Sequence, residues 1–174
     1  MNATYKGRSI GVAIVDSGIG VHMDLNPYIR QYNFVGGANP QLNVDGNEID
    51  SYNDDPRSDA LGHGTHVAGI ISGSGSASSG QHKGVATSAT LLSLKVLDDQ
   101  GRGVTSDAIA AMDWLLSYGS YFNIDVVNMS IGKAVEDWDT VYVSTDQSSF
   151  LSSLDVVMDM DRDGNVKCGL SYGF

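Results

Sequence analysis

The sequence has little of three things that limit what a protein can be: cysteine, basic residues and long apolar runs. Its single cysteine, Cys168, excludes an intramolecular disulfide, so burial, with or without a bound metal, must hold the fold together. Ten basic against 21 acidic residues give a net charge of -11, which repels phosphate backbones and argues against nucleic acid as a partner. No apolar run approaches the roughly 20 residues that span a bilayer, so no membrane association is predicted.

What the chain does contain is typical of a globular domain. Hydrophobic residues make up 41% of it and charged residues 18%, with 21 glycines among 174 positions. Such a composition can bury a core, and the length suits one domain. We therefore expect residues 1–174 to form a single, partial catalytic domain, for the reasons given below.

Apolar, β-branched runs predict buried strands over 9–15, 91–97 and 124–129, and apolar residues at helical spacing predict helices over 63–72 and 105–118. This alternation predicts an α/β fold of three layers, a mainly parallel sheet with helices on both faces. The residues expected to face the core from the helices are Val67, Ile70, Ile71, Ile109, Met112, Leu115 and Leu116. The small residues Gly64, Ala68 and Gly69 are expected to let the first helix pack closely.

The pattern weakens after Gly132, where 150–158 fits either a helix or a strand. We therefore expect the sheet to be incomplete at its C-terminal end and residues 133–174 to form a divergent tail. Residues 72–80, rich in serine and glycine, predict a flexible surface loop. The acidic stretches 45–59 and 136–163 are typical of solvated loops and, less often, of cation sites.

Two motifs carry the chemistry, Asp16-Ser17-Gly18-Ile19 at a strand end and Gly62-His63-Gly64-Thr65-His66 at a helix start. Gly-Val-Ala at 84–86 and Val-Asn-Met-Ser-Ile-Gly at 127–132 follow in order. Together these residues resemble the subtilisin-like serine peptidases, the subtilase family, over about residues 9–132. The resemblance implies the subtilisin-like fold and an Asp/His/Ser catalytic triad.

In such a triad a serine hydroxyl attacks a peptide carbonyl only when an imidazole accepts its proton. The resemblance implies that His63 is this base, that Asp16 orients it, and that His66 is structural. A carboxylate near an imidazolium at a helix N-terminus would also offset the positive end of the helix dipole.

The resemblance further implies that a peptide or protein substrate adds as an extra strand beside 128–132. The residues expected to contact it are Asn128, Ser130, Ile131 and Gly132. The alternative is that this stretch is a buried strand that ends in a turn.

The family's third triad member is not evident in this sequence, because no Gly-Thr-Ser occurs anywhere in it. Ser171 fits Gly-x-Ser-x-Gly, but that motif needs a following helix, and only three residues remain after it. The oxyanion asparagine is also unidentified, with Asp159 near the expected position and Asn165 a more distant alternative. The sequence thus predicts Asp16 and His63 without a partner serine.

No metal site is assigned, and the resemblance implies no cofactor for catalysis. Residues 159–164 match the opening of a calcium loop, but its twelfth position is Leu170 instead of a bidentate glutamate. Structural calcium is expected from the family, and the acidic stretch 45–55 is one candidate contributor. The sequence does not identify the calcium ligands.

The expected function is serine-type endopeptidase, with this chain alone catalytically incomplete and inactive. The alternative is a non-catalytic peptide-binding module or degenerate pseudo-peptidase that keeps only the substrate strand. A glycosidase with paired carboxylates is a third reading, and it explains none of the glycine spacing. Subtilases are commonly secreted, although the first residues lack the apolar segment of a secretory signal.

Overall fold

A computed structural model of the chain describes residues 5–40, 57–132, 154–160 and 166–173. These residues contain one six-stranded sheet and two α-helices. The strands are β1 (Gly11–Asp16), β2 (Arg30–Asn33), β3 (Thr90–Lys95), β4 (Ile124–Met129), β5 (Leu154–Met160) and β6 (Val166–Gly173). The helices are α1 (His63–Ser72) and α2 (Thr105–Tyr118), and a short 3₁₀ helix spans Ser76–Ser78.

The sheet has the strand order β2-β3-β1-β4-β6-β5. β2, β3, β1 and β4 are parallel, whereas β6 runs antiparallel to both β4 and β5. Parallel strands end at one edge, so Asp16 and Lys95, which are register partners on β1 and β3, lie side by side there. In α/β sheets this carboxyl edge is where ligands bind.

The two helices cover opposite faces of the sheet, as predicted. β1 is buried along its whole length, and its alternate side chains enter two separate cores. Val12 and Ile14 pack with Ala68 of α1, while Ala13 and Val15 belong to the core that contains α2. The predicted α/β class with helices on both faces is therefore confirmed.

The core on the α2 face is largely aromatic. Trp114 of α2 stacks on Phe122 with ring centroids 5.5 Å apart and lies 4.5 Å from the ring of Tyr32 on β2. Tyr32 is only 2% exposed. This burial explains why the polar-looking segment Arg30–Asn33 is a strand, although its sequence carries no run of apolar residues.

The predicted buried faces of the helices are right in part: Val67, Ile71, Met112 and Leu115 pack into the cores, whereas Ile70, Ile109 and Leu116 are exposed. Ile70 and Ile109 are each 56% exposed, and Leu116 is 51% exposed. The most deeply buried residues of the two helices are Gly64, Ala68, Ser72, Asp107, Ala111, Trp114 and Leu115. Small residues face the sheet in α1 because the helix packs close to it.

The segment after Gly132 adds order that the sequence pattern did not predict. The stretch 150–158, left open between helix and strand, contributes β5, and the glycine-bearing end of the chain contributes β6. The expected flexible loop at 72–80 contains the 3₁₀ helix and hydrogen bonds to Asp24, which accepts the N–H groups of Ser74 and Ala77. Neither helix in the described residues is long and apolar enough to cross a membrane.

Candidate active site

The carboxylate of Asp16 and the imidazole of His63 form a hydrogen-bonded pair at the carboxyl edge of the sheet. Asp16 is the last residue of β1 and is fully buried, and His63 is the first residue of α1. Nδ1 of His63 lies 2.8 Å from Oδ1 and 3.0 Å from Oδ2 of Asp16. The N–H of Ser17 also donates to Oδ1, at 2.7 Å.

This geometry determines which ring nitrogen of His63 can act as a base. An ionised carboxylate only accepts hydrogen bonds, so Nδ1 carries the proton and Nε2 of the neutral ring keeps its lone pair. The His63 side chain is 45% exposed, whereas that of Asp16 is fully buried. The pair therefore presents a proton acceptor to solvent and its orienting carboxylate to the interior.

Two glycines allow the loop after β1 and the start of α1 to approach closely enough for the hydrogen bond between Asp16 and His63. A Cβ on Gly64 would lie 2.1 Å from the carbonyl oxygen of Gly18. Gly18 has a φ of 109°, and its own Cβ would lie 2.3 Å from the carbonyl oxygen of Ser58. The predicted close packing at Gly64 is observed, but that at Gly69 is wrong, because a Cβ there meets no atom within 4 Å.

Asp59 joins the two motif segments, and the sequence patterns did not single it out. Its Oδ1 accepts from the Ser17 hydroxyl at 2.8 Å and from the Gly62 N–H at 2.9 Å. Its Oδ2 accepts from the N–H and the hydroxyl of Thr65, at 2.8 Å and 2.5 Å. Burial would raise the pKa of Asp59, but the hydrogen bonds from Thr65, Ser17 and Gly62 together lower it.

Two further buried polar side chains support the loop that follows Asp16. Nζ of Lys95 donates to the Ser17 carbonyl oxygen at 2.6 Å, and Lys95 is only 5% exposed. Oε1 of Gln31 accepts the Ile19 N–H at 2.8 Å and the Ser93 hydroxyl at 2.9 Å. The sequence signal that could have found these two residues is a polar side chain within a buried strand. In a sheet covered on both faces such a side chain needs a specific hydrogen-bond partner.

The predicted substrate strand lies next to this pair. Asn128 of β4 pairs with Ile14 of β1 on one side and with Ser171 of β6 on the other. A peptide can therefore add as a strand only beyond Met129. There Ser130 and Gly132 are exposed, Ile131 is half-buried, and the Ser130 hydroxyl donates to Oδ1 of Asn128 at 2.9 Å.

The remaining sequence candidates are placed as follows. Ser171 lies within β6, away from any strand-to-helix turn, and Asp159 lies in β5 opposite Lys167. Asn165, most of the calcium-loop match at 159–164 and the acidic stretch 45–55 lie outside the described residues. Among the described residues, no group of three or more His, Cys, Asp or Glu side chains is arranged to hold a metal ion.

The chain is similar to known proteins over most of its length. The sequence model of Peptidase_S8, the Subtilase family, matches residues 7–166, while the motifs in the sequence span about 9–132. The chain is 36% identical over 132 residues to Serine protease AprX of Bacillus subtilis (strain 168), covering 74% of this chain and 26% of that protein. It is 37% identical over 142 residues to Minor extracellular protease Vpr of the same organism, covering 78% of this chain and 16% of that protein.

Similarity extends to Subtilisin DY of Bacillus licheniformis, 36% identical over 129 residues, covering 74% of this chain and 39% of that protein. Among solved structures, a cold adapted subtilisin-like serine proteinase matches with a TM-score of 0.52 and 29% identity. That match covers 78% of this chain and 41% of the other. The chain thus spans well under half the length of each of these relatives.

Proposed function

Because this chain belongs to the subtilase family, we propose that its Asp16 and His63 are two members of an Asp/His/Ser triad that hydrolyses internal peptide bonds. The single observation that carries the proposal is the 2.8 Å contact between Nδ1 of His63 and Oδ1 of Asp16. It leaves Nε2 of a half-exposed imidazole as a proton acceptor beside the carboxyl edge of the sheet.

The chemistry that this pair supports is general base and then general acid catalysis. Nε2 of His63 accepts the proton of a serine hydroxyl as the oxygen attacks a peptide carbonyl, and later gives it to the leaving amine. Asp16 stabilises the imidazolium formed between these steps. Its charge is needed because His63 begins α1, where the positive end of the helix dipole disfavours a cation.

The substrate is proposed to be a peptide or protein segment that lies extended along residues 130–132. The exposed Ser130 and Gly132 follow a strand whose backbone is paired on both sides up to Met129. A Cβ on Gly132 would meet no described atom within 4 Å, which leaves room for a substrate side chain. Vpr is, by its name, an extracellular protease, and we propose the same location here.

The 174 residues contain no Gly-Thr-Ser, so we propose that this chain by itself hydrolyses little or no peptide. A fluorophosphonate probe tests this directly, because it reacts covalently with a serine only when a neighbouring base activates it. The probe is applied to this chain and to the product of the whole open reading frame, each with a His63→Ala control. Tandem mass spectrometry then locates the labelled serine.

The proposal expects no labelling of the 174-residue chain and His63-dependent labelling of a serine encoded beyond Phe174. Labelling of Ser171 in the short chain, abolished by Ser171→Ala and by His63→Ala, would refute its inactivity and place the nucleophile in β6. Absence of labelling in both proteins, together with binding of a fluorescent peptide, would instead support a peptide-binding module.

A further inference from the structure

We propose that Asp59 is a positioning residue for the proposed triad: its carboxylate bridges the Asp16 loop and the start of α1 and thereby holds His63 against Asp16. The link to catalysis rests on the proposed function, whereas the link to the Asp16–His63 bond does not. Four hydrogen bonds meet at this one side chain.

The two oxygens of Asp59 bind both of the segments that must be aligned. Oδ1 accepts the hydroxyl of Ser17, the residue directly after Asp16, and Oδ2 accepts both donors of Thr65, two residues after His63. The contact to Ser17 spans 42 residues of chain. A shift of Asp59 therefore moves the loop and the helix relative to each other.

The first turn of α1 depends on this arrangement for its hydrogen bonds. A helix leaves its first N–H groups without partners in the helix, and the side chain of the preceding Gly62 cannot supply one. Asp59 accepts the Thr65 N–H, and the Ser17 hydroxyl accepts the Gly64 N–H at 3.1 Å. His63 is the first residue of this turn, so its position follows from these bonds.

A carboxylate is required here, because it accepts a hydrogen bond from each of two hydroxyls and so leaves the lone pairs of those hydroxyls directed at backbone N–H groups. The Ser17 hydroxyl donates to Asp59 while it accepts from Gly64, and the Thr65 hydroxyl donates to Asp59 while it accepts the Gly20 N–H at 2.9 Å. Asn offers one acceptor oxygen and a donor in place of the second oxygen. The isosteric Asp59→Asn change therefore breaks part of the network without removing volume.

The test observes the Asp16–His63 bond without any need for a serine. The full 174-residue chain is labelled with ¹⁵N-histidine, and NMR detects the Nδ1 proton of His63, assigned by its loss in His63→Gln. The compared variants are Asp59→Asn and Asp107→Asn. Asp107 is the control, because its carboxylate likewise accepts two backbone N–H groups, those of Gly36 and Gly37, while it lies in the first turn of α2, on the opposite face of the sheet from α1.

The expected result is an Nδ1 proton that exchanges with water about tenfold faster in Asp59→Asn, the size expected for one lost hydrogen bond to a charged group. In Asp107→Asn the Nδ1 proton signal is the same as in the original chain, even if this variant's melting temperature falls as much as that of Asp59→Asn. Ser17→Ala removes one of the four hydrogen bonds and should also make the Nδ1 proton exchange faster. It replaces Asp59→Asn in the test if that variant does not fold.

Three results overturn the inference. The first is an Nδ1 proton signal that is unchanged in Asp59→Asn or, if that variant is unfolded, in Ser17→Ala. The second is an equal effect of Asp107→Asn on that signal, and the third is the absence of a protected Nδ1 proton in the original chain. In the product of the whole open reading frame, Asp59→Asn should lower kcat with little change in KM. A protected, Asp59-dependent proton in this chain, together with no peptidase activity in the product of the whole open reading frame, would refute the proposed function and leave the positioning role standing.

Discussion

The Cα of Gly64 lies so near the carbonyl oxygen of Gly18 that a Cβ would come within 2.1 Å of it. That carbonyl belongs to the loop after Asp16, and Gly64 follows His63 in α1. The contact therefore sets how closely the helix start can approach Asp16, whose own Cβ would lie 3.2 Å from a Cβ at Gly64.

Gly64→Ala should lower the free energy of unfolding by about 1–3 kcal/mol or more, because backbone has to move to admit the new methyl group. The matched control is Gly69→Ala in the same helix, where an added Cβ meets nothing within 4 Å. That change should stabilise the chain by about 1 kcal/mol through helix propensity. Urea unfolding measures both, and equal effects would contradict the close contact.

The stability contributed by Asp59 should depend on pH. Its pKa is lowered from the ordinary 3.8, so the contribution is fully present above that value and is lost as pH falls through the folded-state pKa. The difference in unfolding free energy between the original chain and Asp59→Asn should therefore be constant from neutral pH to about 5 and shrink below 4. Urea unfolding across this range measures it, and a difference that does not change with pH would argue against an ionised Asp59.

Lys95→Met should destabilise the chain, since Met matches the length of the stem but leaves the buried Ser17 carbonyl without its 2.6 Å donor. An unsatisfied buried acceptor costs about 1–3 kcal/mol. Lys83→Met is the control, because Lys83 is exposed. A loss of stability no larger than that of the control would show that the Lys95 contact contributes nothing.

In the product of the whole open reading frame, Asp16→Asn should lower kcat about ten-thousandfold, the loss seen when a triad carboxylate no longer holds the imidazole tautomer. KM should change little, because the predicted substrate contacts lie in residues 130–132. Steady-state hydrolysis of a chromogenic peptide checks both constants. A loss confined to KM would assign Asp16 to substrate binding instead.

Much of the fold was predictable because strands and helices have local signatures. The apolar run that ends at Asp16 predicted β1, and helical spacing predicted α1 and α2 with matching bounds. β2 was missed because its residues look polar until Tyr32 packs against Trp114. The face of α2 was predicted only in part: Leu115 is buried, but Ile109, also expected inside because it is large and apolar, is 56% exposed.

The sequence by itself determined the family and the α/β class and singled out Asp16 and His63, because short motifs at strand and helix ends carry that information locally. Only the tertiary structure decided that Asp59, Gln31 and Lys95 hold the pair in place. Their partners lie far away in the chain, 42 residues from Asp59 to Ser17 and 78 from Lys95 to Ser17. Such contacts follow from how the sheet edge and the helix start meet, and no local pattern of residues encodes that meeting.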